Sequence, residues 1–436
     1  MKYFGLIIKK QKIVIIKSHR KTLTCCLLLL KSNKSMSSLE KKRKRKIPTT
    51  KKKKKLSPNP SLPDDLLLDI VARVPRLYYP TLSLVSKSFR SLLASPELYK
   101  ARSFLGHTES CLYVCLRCFP GYRWFTLCRK PDQTLTNDTT KKKPSGYVLA
   151  PVPIPSFHKP HFSSLVVVGS DIYNIHGPSS NVSILDCRSH TWRKVQSLIL
   201  DSRSRRWPKA PSLPVEHLSL SASVLGQKIY VAGCYNDIHL DSSFFEVFDT
   251  KTKVWVSEPI PCIPYSEREF NFLHSKSICI DKKIHVVTDS EGVVAYNPKE
   301  GRWDLDGLRL DLDQHMRSDS YCVMENVLYS VYNRMVIWYD TEASRWRYLE
   351  GLAGLPTFPL GGSVRLGDYG GKLVVLWEED LLYCLSSFVH KKKIWCAEIA
   401  LERRKNCEIY GEVEWFDHVL TIPKEYDLVK VLAATV

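Results

Sequence analysis

VFDTKTKVW, Val247 to Trp255, is an apolar run closed by an Asp, with a Trp six residues further on. The short Asp side chain can hydrogen-bond its own backbone two residues on and start a turn. The phrase therefore reads as a hairpin whose return strand opens at the Trp. It recurs as ILDCRSHTW (Ile184 to Trp192), AYNPKEGRW (Ala295 to Trp303) and WYDTEASRW (Trp338 to Trp346), with a fifth copy, ILDSRSRRW, from Ile199 to Trp207. From Trp207 the steps to Trp255, Trp303, Trp346 and Trp395 are 48, 48, 43 and 49 residues. A period in the forties built from short strands predicts a β-propeller, a ring of four-stranded blades. Each Trp is expected to pack blade against blade, burying about 150–250 Å², and not to hold a ligand.

The phrase resembles the second half of a kelch repeat, whose first half is an apolar strand ending in a Gly doublet. DIYNIHG, ending at Gly177, and KIYVAG, ending at Gly233, keep the first Gly, followed by Pro178 and Cys234. KIHVVT, VLYSVYN and KLVVLW put Thr288, Asn333 and Trp377 there instead. The likeness is carried by Trp spacing and strand pattern more than by glycines.

The 436 residues carry a net charge of +21, which suggests a nucleic-acid binder until the charge is located. Residues 1–60 hold 20 of the 65 Lys and Arg and one acid, Glu40, of the 44 Asp and Glu, leaving 45 against 43 for the rest. A nearly neutral folded part argues against a propeller that grips a phosphate backbone through long-range charge. The longest apolar piece of the first 35 residues, Cys25 to Leu30, is far short of the roughly 18 residues a membrane span needs. Basic residues also separate the apolar runs of this segment, and no small-residue cleavage site follows, so it does not read as a signal peptide. Met36 resembles an ordinary translation start, so the residues before it are expected to be upstream sequence or a poorly folded extension. Two clusters follow: Lys41, Lys42, Arg43, Lys44, Arg45 and Lys46, then Lys51, Lys52, Lys53, Lys54 and Lys55. Runs of like charge repel themselves into an extended chain that an acidic groove can read, which points to nuclear targeting, with the cytoplasm as a second location.

LPDDLLLDIVARVP, Leu62 to Pro75, opens a helix with Pro63 at its start and Asp64 and Asp65 where acids complement the dipole. Its apolar positions, Leu66, Leu67, Leu68, Ile70, Val71 and Val74, are too many for one stripe, so one side must face a partner. Tyr78 to Val85 and Ser86 to Leu93 give two further helical patterns. The set resembles an F-box, the module by which substrate receptors dock on the Skp-type adaptor of cullin-RING ubiquitin ligases. The matching residues are Leu62-Pro63, Ile70, Leu84-Val85-Ser86-Lys87 and Phe89-Arg90, with Phe89 where the family often has Trp. The resemblance implies that Leu62, Pro63, Ile70, Leu84, Val85 and Phe89 contact the adaptor. An F-box followed by kelch repeats is similar to a large plant family of ubiquitin-ligase receptors. That implies a non-catalytic subunit whose partners are a Skp-type adaptor, through it a cullin, and a protein substrate, with no cofactor and no membrane.

The domain organisation expected is therefore a basic tail over 1–60, the F-box over 61–105, the propeller over 106–425 and a carboxyl-terminal tail over 426–436. Cys111 to Cys118 and Arg123 to Cys128 read as two strands of a half blade, completed by Ile409 to Trp415 and Val419 to Ile422 from the other end of the chain. Such shared closure removes a free sheet edge. With blades at 162–207, 218–259, 275–308, 320–350 and 364–400, the composite makes six, and 129–160 becomes a surface loop. Of the two tandem phrases, the one ending at Trp192 is expected to build the blade. The copy ending at Trp207 should then bulge into the next connection and bring Arg203, Arg205 and Arg206 to a recognition face.

Fourteen Cys invite a metal or disulfide account, but Cys111, Cys115 and Cys118 have no second cluster or ligand-spaced His to complete a site. Free buried thiols are expected. His158 and His161 fall in a Pro-rich loop. No G-x-S-x-G, H-E-x-x-H or phosphate-cradling Gly loop is present, so no catalytic, cofactor or metal residues are assigned. Two alternatives remain: a nuclear kelch scaffold not engaged with a ligase, and a copper enzyme of the galactose-oxidase-like type.

Overall fold

The computed structural model describes residues 63–129, 146–152, 154, 162–176, 182–195, 218–235, 242–256, 260–262, 270–288, 292–304, 315–316, 319–381, 391–404 and 408–436. The chain divides into two compact units, Met1–His107 and Thr108–Val436. The basic clusters, Leu62, His158, His161 and the second tandem phrase lie outside the described residues.

The second unit is six four-stranded antiparallel sheets. Blade 1 is β4 (Leu165–Val168), β5 (Asp171–Ile175), β6 (Val182–Asp186) and β7 (Thr191–Val195); blade 2 is β8 (Leu218–Leu225), β9 (Lys228–Tyr235), β10 (Ser242–Asp249) and β11 (Val254–Trp255). Blade 3 is β12 (Ser277–Ile280), β13 (Lys283–Val287), β14 (Val293–Asn297) and β15 (Arg302–Asp304); blade 4 is β16 (Tyr321–Met324), β17 (Val327–Tyr332), β18 (Met335–Asp340) and β19 (Arg345–Tyr348). Blade 5 is β20 (Val364–Asp368), β21 (Leu373–Asp380), β22 (Lys391–Arg403) and β23 (Ile409–Pro423). The six blades are those the Trp period predicts.

The hairpin phrase behaves as its chemistry demands. Oδ1 of Asp186, Asp249, Asn297 and Asp340 accepts the backbone N–H two residues on, at 2.9, 2.9, 3.1 and 3.1 Å. The Trp that follows opens the outer strand and packs toward the preceding blade. Trp255 joins Tyr173, Ile175 and Ile184 of blade 1, Trp303 lies 4.8 Å from the Phe245 ring of blade 2, and Trp346 packs with Ile278 and Val293 of blade 3. In the first tandem phrase Leu185 pairs with Trp192 across β6 and β7, so that copy builds blade 1.

Several expectations are corrected, among them the surface loop over 129–160, which contains a strand of the closing blade. The last blade, β24 (Asp427–Thr435), β1 (Ser110–Cys118), β2 (Gly121–Arg129) and β3 (Tyr147–Val152), takes three strands from one end of the chain and one from the other, not two and two. Residues 426–436 are therefore not a tail: they supply the innermost strand of the closing blade, with Leu428 and Ala434 fully buried. Ile409 to Ile422 is not a pair of strands but one strand, β23, the outer edge of blade 5. Its register on β22 shifts between Ile394/Trp395 and Glu398/Ile399. Each shift flips the in-out alternation, so a single strand reads as two. Trp395 consequently sits on the third strand of its blade, facing Trp377, and its 49-residue step from Trp346 does not mark the repeated outer position.

The first unit is helical: α1 (Asp64–Ala72), a 3₁₀ turn (Arg76–Tyr78), α2 (Tyr79–Leu82), α3 (Lys87–Leu93) and α4 (Pro96–Phe104). Val71, Ala72, Val74, Tyr79, Leu82, Leu93 and Leu98 form its core.

Candidate functional site

The helical unit separates what it needs for itself from what it offers. Val71 and Ala72 of α1 face inward, while Pro63, Leu66 and Ile70, three and four apart, share another face. Pro63 is exposed, Leu66 is 38% exposed, and Ile70 is half-buried. In the turn before α3, Leu84 is 78% exposed and Val85 half-buried. Ser86 then caps α3 by accepting the Phe89 N–H at 3.1 Å. Phe89, among the expected adaptor contacts, packs on the unit's own core instead of standing free. Leu66, absent from those contacts, is the more accessible apolar residue, and its i+4 spacing to Ile70 is the signal that could have found it.

The sequence patterns also stop one helix short. Ser95 caps α4 by accepting the Leu98 N–H at 3.3 Å, with Pro96 at its first position and Glu97 in its first turn. That helix brings in Arg102, whose side chain is buried. Its Nη1 donates to the carbonyls of Ala72 at 3.1 Å and Val74 at 2.7 Å and to the Tyr79 hydroxyl at 3.0 Å. Its Nη2 donates to the His107 carbonyl at 2.7 Å. The Tyr79 hydroxyl in turn donates to Val71 O at 3.2 Å, and burial pushes its pKa up to about 12. The carbonyls that end α1 thus have an internal partner, and the apolar face of α1 is left for something else.

The propeller has two unlike faces. All six inner strands begin on the same face, so the connections from second to third strand, and from outer strand to the next blade, emerge there. The opposite face carries the hairpin phrases. Among the described residues, the large exposed apolar side chains of this unit are Phe119, Val256, Tyr332, Met335, Tyr348 and Leu360. Phe119 follows β1, the second strand of its blade, and Tyr332 and Met335 flank the second-to-third turn of blade 4. Tyr348 ends the outer strand of blade 4, and Val256 and Leu360 lie in outer-to-inner connections. All six lie at the connecting face, spread over several blades.

Most of the described cysteines are buried. Burial pushes the Cys279 thiol up to about 11 and that of Cys396 well above its ordinary value, so neither presents a thiolate. No group of three or more His, Cys, Asp or Glu is placed to hold a metal ion among the described residues.

A small helical unit with an uncovered apolar face, carried on the same chain as a six-bladed kelch-type propeller, defines a modular adaptor class of protein. The F-box domain model matches residues 60–101, and the FKB95 Kelch-repeats domain model matches 124–199 and 195–420, two stretches that meet at the tandem phrases. F-box/kelch-repeat protein At5g51250 of Arabidopsis thaliana is 56% identical over 393 residues, covering 86% of this chain and 99% of that one. F-box/kelch-repeat protein At3g06570 of the same plant is 52% identical, covering 86% and 93%. The putative F-box/kelch-repeat protein At5g38680, also from Arabidopsis, is 52% identical, covering 87% and 96%. The chain belongs to the F-box/kelch-repeat family, and that membership supports a ubiquitin-ligase substrate adaptor in general.

Proposed function

We propose that the chain is the non-catalytic substrate-recognition subunit of a Skp-cullin-F-box ubiquitin ligase. The helical unit docks the Skp-type adaptor, and the propeller holds the protein to be ubiquitinated. The observation that carries this is the apolar face of Pro63, Leu66 and Ile70 together with Leu84, exposed on a unit whose core is completed without it. Apolar anchors at an interface centre commonly cost about 2 kcal/mol or more each when truncated, so Leu66 and Leu84 should dominate docking and Phe89 should act through folding. Leu84→Glu is expected to abolish co-precipitation with the adaptor while leaving the melting curve unchanged, and the same holds for the Leu62→Ala, Pro63→Ala pair. Undiminished co-precipitation by both would favour a kelch scaffold that engages no ligase.

Nuclear residence belongs to the same proposal, and the two basic clusters motivate it. Deleting Lys41 to Lys55 removes 11 positive charges and should reduce nuclear enrichment of a tagged chain without altering its stability. Retained enrichment would assign the clusters to a non-specific, solubilising role.

A further inference from the structure

The second strand of every blade carries an aligned tripeptide. It is Leu112-Tyr113-Val114 in β1 of the closing blade, then Ile172-Tyr173-Asn174, Ile229-Tyr230-Val231, Ile284-His285-Val286, Leu328-Tyr329-Ser330 and Leu373-Val374-Val375 in blades 1 to 5. Side chains alternate along a strand, so the middle residue looks at the next blade and its flanks look back at the one before. Tyr173 accordingly packs with Ile229 and Val231 of blade 2, Tyr230 with Ile284 and Val286 of blade 3, and Tyr329 with Leu373 and Val375 of blade 5. At the seam where the closing blade meets blade 1, Tyr113 looks at Ile172 and Asn174 instead of two apolar flanks.

Asn174 is buried, and its Oδ1 has no hydrogen-bond partner among the described residues. Closing this seam therefore desolvates an amide oxygen that gains nothing in return, a cost the Ile, Val and Leu flanks of blades 2, 3 and 5 do not carry. Tyr113, fully buried, offsets it. Its hydroxyl bonds Cys187 O at 2.8 Å and His190 Nε2 at 3.0 Å, both in the hairpin phrase of blade 1. A carbonyl can only accept, so the Tyr113 proton goes to Cys187 O and His190 donates through Nε2–H. His190 is the left-handed residue of its phrase, at φ 56°. That conformation is costly for an L-residue, and it sets the imidazole against Tyr113 with ring centroids 5.9 Å apart. Elsewhere along the same seam, the Thr435 N–H donates to Gly169 O at 3.0 Å.

We infer that this seam is where the propeller opens locally, ahead of the rest of the ring, and that the Tyr113–His190 pair is the latch that holds it shut. Opening separates the closing blade from blade 1 while both sheets stay paired, a sub-global event that lies below complete unfolding. It ruptures the two Tyr113 bonds and the Thr435 bond together, and it lets Asn174 meet water. On the connecting face it shifts Phe119, in the second-to-third turn of the closing blade, relative to the connections of blade 1. The ring thereby has an adjustable joint, and the inference stands independently of what the propeller holds.

The test is native-state hydrogen exchange of the purified full-length chain, read by mass spectrometry with fragmentation to single amides. Tyr113→Phe removes only the hydroxyl. It should speed exchange of the Thr435 and Cys187 amides about tenfold, the effect of losing one net buried hydrogen bond, while the amides of β13 and β14 in blade 3 keep their wild-type rates. His190→Gly should have the same local effect even though it relieves the left-handed backbone. Lys253→Gly, which relieves the same backbone in the next phrase and touches no latch, should speed exchange nowhere. Combining Tyr113→Phe with His190→Gly should give exchange no faster than the faster single variant, because both remove one shared contact. Asn174→Val should slow exchange of the Thr435 amide by replacing the unpartnered amide with an apolar side chain. Should Tyr113→Phe fail to fold, His190→Gly and Asn174→Val carry the comparison. Acceleration spread equally over all blades would make the pair an ordinary stabilising contact, and unchanged exchange at Thr435 would mean that nothing is latched; either result overturns the inference.

Discussion

The four hairpin phrases share a residue that the sequence does not advertise. Four places past the Asp or Asn stand His190, Lys253, Gly301 and Ser344, with φ of 56°, 61°, 68° and 50°. The N–H groups of the first three donate back to the Asp or Asn carbonyl at 2.8 Å. The turn demands the left-handed region and three copies supply a side chain there, at a cost of about 1–2 kcal/mol for an L-residue. Gly301→Ala should therefore lower stability by about 1 kcal/mol with no clash involved, since a Cβ there meets nothing within 4 Å. Lys253→Gly should raise it by somewhat less, because glycine gains freedom in the unfolded chain. Denaturant melts of the two variants check both signs. Gly233 is a different case: a Cβ would lie 2.4 Å from Phe244 Cζ and 2.5 Å from Ser219 O, so this kelch glycine is kept by packing. His285 on β13 adds a pH prediction, as burial pushes its imidazole down to about 4. The free value is about 6.5, so the fold favours the neutral ring. Its contribution is complete above pH 6.5 and is lost as pH falls from there toward 4, on the order of 3 kcal/mol in all. His285→Leu should flatten that stretch of the stability curve, and an unchanged slope would refute the assignment.

Among the elements, those whose rules are local were legible and those whose rules are not were missed. Phrase hairpins and α1 follow from turn chemistry and capping within a few residues. The helix α4 carries its own local signal, Ser95-Pro96-Glu97, yet its purpose is non-local, because Arg102 serves carbonyls 30 and 28 positions back in the chain. The register shifts in β23 are equally invisible, since nothing in a sequence says where a strand will skip one residue against its neighbour. Arg102→Met should be decisive for the helical unit. It leaves Ala72 O and Val74 O without this donor, at about 1–3 kcal/mol for each buried group, in a module of the size that seldom exceeds about 3–5 kcal/mol of stability. The expected outcome is loss of adaptor capture and of helical circular dichroism while the propeller transition persists. Ser95→Ala, removing only a cap, should cost about 1 kcal/mol and leave capture intact at 25 °C.

For the whole molecule, blade number follows from the spacing of the hairpin phrases in the first four blades together with the strand patterns of the last two. Where the ring closes does not, because it depends on which of two chain ends wins an inner edge. The expectation of a two-plus-two blade and a free tail failed at this point. β24 follows Tyr426 without a repeat phrase, but it is the strand that pairs with β1 from Ser110 to Arg117. The closure is tied on both sides. Glu109 and Val436 exchange backbone hydrogen bonds at 3.0 and 2.9 Å, and the Thr435 N–H donates to Gly169 O of blade 1 at 3.0 Å. Toward blade 5, Lys392 Nζ holds Asp427 at 3.1 Å and the Tyr426 carbonyl at 3.1 Å. A chain ending at Glu425 would leave β1 as an unpaired edge and uncover Leu116, Val114 and Leu112, all buried in the intact ring. Each such side chain loses about 1.5–3 kcal/mol when exposed, and together they match the 5–15 kcal/mol that holds a domain folded. Truncation should therefore collapse the whole propeller cooperatively, with early melting and association through the open edge, while the helical unit still captures adaptor. A truncated chain that melts with the wild type and stays monomeric in size-exclusion chromatography would mean that the ring holds without its closing strand.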